Sequence, residues 1–220
     1  MFHQVPVLPV VVALAAAVLA ALLWSLRRTG RLSVPRAAVA LALGVYVAGV
    51  VAHTVFPVFR DKPVSTAPWS SHLVVVPFAG YEVADAVMNV LVFVPLGVLL
   101  ALLVAPGSWG RAVGAAAAVS LAIEATQLVT AHLLGGGHVA DVNDLVFNTV
   151  GGAVGVAALA ALVRVPALRG AVDRFRWHPA GVRDVALHEA VPHEVEPDGA
   201  EPRRAEPRRA GARGAGTEAS

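Results

Sequence analysis

The sequence predicts an all-α, polytopic membrane helix bundle of about five transmembrane helices, with the N-terminus outside, the C-terminus inside and a disordered C-terminal tail. Two observations lead there. Hydrophobic residues make up 57% of the 220 residues and charged ones only 15%, with a mean hydropathy of +0.69, which an ordinary soluble domain does not show. The apolar stretches also fall into five runs close to the roughly 20 residues a helix needs to cross a hydrocarbon core of about 30 Å.

The runs are Val5 to Leu26, Ala37 to Phe56, about Ala86 to Ala105, about Ala112 to Ala131 and about Leu145 to Val163. The first reads as an uncleaved span, because Phe2-His3-Gln4 brings no Lys or Arg ahead of it and Arg27 and Arg28 follow it; a signal peptide has the reverse charge order and a shorter apolar core. Arg27, Arg28, Arg31 and Arg36 lie in the first connection, Arg111 in the third, and Arg164, Arg169, Arg174 and Arg176 after the last span. By the positive-inside rule these segments are cytoplasmic. The second connection sets Arg60 and Lys62 against Asp61, Glu82 and Asp85, and the fourth has no Lys or Arg but carries Asp141 and Asp144, so both face outward.

This divides the chain into two N-terminal helices (1–60), a core of an outer loop and three helices (61–165), and a tail (166–220). The tail is rich in Pro, Arg, Glu, Ala and Gly and repeats Ala-Glu-Pro-Arg-Arg at Ala200 and Ala205. Such a composition buries no core, so the tail is predicted to be disordered and solvated.

The net charge of +2 comes from short Arg clusters beside apolar runs, without a base-reading motif, which argues against a nucleic-acid partner. The chain has no cysteine, excluding disulfides, thiolate metal sites and a cysteine nucleophile. Chemistry here falls to carboxylates, His, Ser/Thr and amides, and no cofactor or metal is expected.

Inside the fourth run stands Glu124, where a carboxylate costs about 2.5–3.5 kcal/mol on insertion scales. Gln127, three residues on, shares its helix face. Asp141, Asp144 and Asn148 follow at i, i+3 and i+7, as do Glu82, Asp85 and Asn89 at the start of the third run. Three helices thereby bring acids and amides toward the outer side, and a pocket of Asn89, Glu124, Gln127, His138, Asp141, Asp144 and Asn148 is the candidate binding site, with no catalytic residue assigned. Interhelical hydrogen bonding without a ligand is the competing reading. Gly151, Gly152 and Gly155 provide a small-residue face for close helix packing, with the Ala-rich fourth run as a partner, and Pro95 predicts a kink in the third. His138 with Asp141 and Asp144 offers a weaker case for a metal or a proton carrier.

Asn89 with Phe93-Val-Pro95-Leu-Gly97, then Glu124-Ala-Thr-Gln127, then Asp141-Val-Asn-Asp144-Leu-Val-Phe-Asn148-Thr-Val-Gly151 resembles, in that order, the VanZ-like family of bacterial membrane proteins. Pro77-Phe78 extends the likeness from about Val76 to Gly155. His138 departs from it, standing where the family commonly has an Arg, which implies weaker or pH-dependent binding if the family's pocket needs a permanent cation. The family is named for a protein associated with low-level teicoplanin resistance, so the resemblance implies a cell-envelope role and no particular reaction.

Three functions stay open on these residues. One is binding or helping to modify a lipid-linked or peptidoglycan-related ligand, or a glycopeptide, at the outer leaflet. Another is an enzyme with Glu124 as general base, so enzymatic status is left open, and the third is a lipid or small-molecule transporter or flippase. Expected partners are membrane lipids and such a ligand, with homo-oligomerisation open. Abundant Ala, Val, Gly and Arg beside a single Lys points to a high-GC bacterium and its plasma membrane.

Overall fold

The structure, a computed structural model, describes residues 2–78 and 80–178. Five helices are long and apolar enough to cross a membrane: α1 (Val7–Arg28), α2 (Val34–Thr54), α3 (Val83–Leu103), α4 (Trp109–Leu134) and α5 (Val142–Leu162). Each overlaps a predicted run. The helices α2 to α5 each begin three residues earlier than predicted, two of them for a local reason: Trp109 and Arg111 open α4 behind Ser108, and Asp141 caps α5 by accepting from the Asn143 N–H at 2.8 Å, satisfying one of the free donors of the first turn.

The predicted tail needs a correction, because its first residues are ordered. Pro166–Phe175 form a sixth helix, α6, started by a proline whose missing N–H has no partner to lose at that position. Leu168, Val172 and Phe175 recur at i, i+4 and i+7, and Val172 is buried in the cluster that also holds Val39, Leu102 and Leu159. Just beyond α6, the Trp177 N–H donates to the Leu102 carbonyl (3.0 Å), and Arg36 and Arg31 donate to the carbonyls of Arg176 (2.8 Å) and Trp177 (3.3 Å). The rest of the tail, including the Ala-Glu-Pro-Arg-Arg repeat, lies outside the described residues.

The core is the contact of α5 with α3 and, next, with α4, while α1 packs on α2. Gly151 and Gly155 let the backbones of α5 and α3 meet: a Cβ on either would strike the carbonyl oxygens of Val90 and Val94. Gly97 answers from α3, its Cβ position filled by the Gly152 carbonyl. The glycine face therefore belongs chiefly to α3, and the predicted α4 partner is met at Gly152, which faces Ala116. With lipid on the outside, close backbone packing of this kind replaces hydrophobic burial as the main source of helix association.

Residues 55–78 and 80–82 strap over one end of the bundle. The Phe59 and Ser65 amides donate to the carbonyls of Leu134 (3.1 Å) and His132 (2.9 Å), Lys62 Nζ donates to Gly135 O (3.0 Å), and Trp69 stacks on His132 with centroids 3.9 Å apart. Strand β1 (Leu73–Val74) pairs in parallel with β2 (Ala140–Asp141), and Phe78 N–H donates to Asn143 Oδ1 (2.8 Å). A Trp69→Ala variant should lose about 1 kcal/mol of this docking, read as severalfold faster hydrogen exchange at the Phe59 and Ser65 amides. Unchanged exchange would show that the stack does not hold the strap.

Candidate functional site

Beneath the strap, α2, α3, α4 and α5 enclose a chamber of about 750 Å³. Of the seven residues predicted for the pocket, Asn89, Glu124, Gln127, His138, Asp144 and Asn148 line it. Asp141 does not; it sits at the start of α5, where its Oδ1 accepts from the Asn143 N–H and Nδ2 (2.8 and 2.9 Å).

The geometry shows how a carboxyl group is kept inside the bundle. Glu124 is 7% exposed, and its Oε2 accepts the Asp141 backbone N–H at 2.8 Å. That places it at the N-terminus of α5, where free amides and the helix dipole favour negative charge. Asp144, in the first turn of α5, accepts from Tyr81 OH at 2.5 Å and from Asn89 Nδ2 at 2.7 Å, through the same Oδ1. Asn89 Nδ2 also donates to the Tyr81 oxygen (2.7 Å), closing a triangle among α3, α5 and the strap.

Tyr81 precedes α3, and burial first, then its bond to Asp144, pushes its phenol well above the ordinary tyrosine range. A raised pKa in the folded state means that its contribution to stability is complete below the unfolded value of about 10 and is lost only as pH rises further. Tyr81→Phe removes a charge-assisted bond and should cost about 1.5–3 kcal/mol, measured as a lower midpoint of thermal unfolding at neutral pH. An unchanged midpoint would sink this role.

Gln127 is 5% exposed, and its Nε2 donates at 3.1 Å to the carbonyl of Thr54, the last residue of α2, which has no partner in its own helix. Because a carbonyl only accepts, the bond sets the orientation of the amide, and Gln127 Oε1 is buried without a donor among the described residues. His138 donates from Nε2 to the Phe56 carbonyl at 3.0 Å, holding the start of the strap just beyond α2. Asn148 reaches Ser120 Oγ on α4 at 3.0 Å. Among the described residues no three His, Asp or Glu side chains converge as metal ligands.

Several contributors were not singled out from the sequence. Ser120 stands at i, i+4 and i+7 with Glu124 and Gln127, a stripe that periodicity could have revealed. Tyr81 and the buried Asn143, 1% exposed, act across the strap, and no local pattern announces such long-range bonds. Tyr46, Val50, His53 and Thr54 line the chamber from α2, so the predicted boundary at residue 60 cuts through the candidate site.

These features define a class: a multi-pass membrane protein with a polar, acid-bearing chamber at one end of a five-helix bundle. The VanZ/LLP1 family model matches residues 43–164, more than half of the chain, and the chain belongs to that family. The match begins inside α2, upstream of the quoted motifs, in keeping with that helix forming part of the chamber wall. Comparison with curated proteins and with solved structures gives no match.

Proposed function

We propose that this protein binds the polar head of an envelope amphiphile, a lipid-linked or peptidoglycan-related molecule or a lipid-bearing glycopeptide, in the chamber at the outer leaflet. The observation that carries the reading is the ring of polar side chains from α2 to α5 around one cavity within otherwise apolar spans. Ionisable groups inside membrane spans are costly and gather where a ligand or ion must be met. Packing alone would be served by the amide bonds to Thr54 O and Ser120, whereas an open volume beside Glu124 and Asp144 serves no packing purpose.

The proposed orientation places the strap and chamber outside. It rests on Arg27, Arg28, Arg31, Arg36 and Arg111 lying at the opposite end with α6, the pattern expected on a cytoplasmic face. The bacterial plasma membrane is the proposed location.

The test compares wild type with Glu124→Gln, Asp144→Asn and Asn148→Ala at matched expression, in a host lacking its own copy, for susceptibility to teicoplanin and other envelope-directed agents. Loss of the wild-type effect in all three is expected. Wild-type behaviour in all three would reduce the cluster to interhelical hydrogen bonding and remove the proposal.

A further inference from the structure

The chamber walls differ in exposure. Ile123, Glu124 and Gln127 of α4 and Asn148 of α5 are buried, whereas Gly49 and His53 of α2 and Asp85, Met88 and Pro95 of α3 are exposed. The opening is therefore the seam between α2 and α3, on the side of the bundle, where lipid lies. A second, apolar groove runs along the same seam. It is lined by Ala38, Leu41, Ala42, Val45, Val98 and Leu99, and shares Tyr46 and Pro95 with the chamber. Tyr46 stands at the junction, its hydroxyl donating to the Val92 carbonyl at 2.9 Å, in the stretch of α3 that Pro95 interrupts.

The chemistry of the chamber selects the head. Asp85, Glu124 and Asp144 line it, with His53 and His138, and no Lys or Arg does so among the described residues. Its amides direct their NH2 groups into the protein: Asn89 to Asp144 and Tyr81, Gln127 to Thr54. The atoms left over, Glu124 Oε1, Asp144 Oδ2 and the Asn89 and Gln127 carbonyl oxygens, accept hydrogen bonds, so the chamber matches a donor-rich cation and opposes an anion.

Resting on the binding role proposed above, we infer that the recognised ligand is an amphiphile with a primary ammonium head, which enters sideways between α2 and α3. Its ammonium meets Glu124 and Asp144, and its hydrocarbon chain lies in the groove beside Leu41, Ala42 and Val45. A phosphate or pyrophosphate group of a larger ligand stays outside the chamber. Lipids and lipopeptides can both carry such an ammonium, so simple alkyl probes isolate the shared chemistry.

The experiment uses the full chain in phosphatidylcholine nanodiscs, with one-to-one adducts counted by native mass spectrometry for hexadecylamine, hexadecyl phosphate and butylamine. Hexadecylamine should bind at least tenfold more tightly than hexadecyl phosphate. Glu124→Gln should abolish that preference, and Ala42→Trp, on the lipid side of α2, should bring hexadecylamine down toward butylamine. Hexadecyl phosphate bound as tightly as the amine, and lost in Asn148→Leu, would overturn the ammonium head while leaving the chamber as a binding site. Unchanged hexadecylamine binding in Ala42→Trp would overturn the groove. No one-to-one adduct, or adducts equally present in Glu124→Gln and Asn148→Leu, would overturn this inference and the binding role together.

Discussion

Gly155→Leu is expected to cost about 3 kcal/mol or more, the upper range for overpacking, and to lower the thermal midpoint of the detergent-solubilised protein by roughly 6–12 °C. At this position a Cβ would already overlap the Val94 carbonyl and approach the Val98 amide at 2.9 Å. Those neighbours are backbone of α3 and cannot rotate away, so the helices must separate along their whole crossing, loosening the fit of Gly97 against Gly152 as well. Gly114→Leu on α4 is the control, because nothing lies within 4 Å of its Cβ position. Equal midpoints for the two variants would show that the α3–α5 contact is looser than described.

The second large effect separates the structural from the chemical role of Glu124. Glu124→Leu leaves the Asp141 N–H without its acceptor and should cost about 1–3 kcal/mol for an unsatisfied buried donor, with the α4–α5 turn loosened. Glu124→Gln keeps a carbonyl oxygen for that bond and removes the charge. It should unfold within a few degrees of wild type and still lose the envelope phenotype. Thermal unfolding and phenotype measured on the same preparations decide the matter: a Gln variant that retains the phenotype would confine Glu124 to holding the N-terminus of α5.

How much of the site could be read in advance depended on the range of each signal. Glu124 and Gln127, and Asp144 and Asn148, were visible because polar residues at helical spacing stand out against apolar runs. Asp141 belonged to the same spacing, yet it lies at the helix start, where a side-chain oxygen near free amides becomes a cap. Its spacing could not distinguish a ligand from a cap. The helix at Pro166–Phe175 was hidden by the Pro and Arg content around it, since a stripe of Leu168, Val172 and Phe175 is too short to register in a composition average.

The sequence by itself determined the five spans, the polar stripes and the glycine face, because each is a local pattern set by hydrocarbon thickness or by the 3.6-residue helical repeat. Only the tertiary structure decided that α3 is the main partner of that glycine face, that Tyr81 and Asn143 tie the strap to α5, and that α2 closes the chamber while leaving a seam with α3 open. Those outcomes depend on which backbones approach each other across dozens of residues, and the order of residues along the chain does not encode that distance.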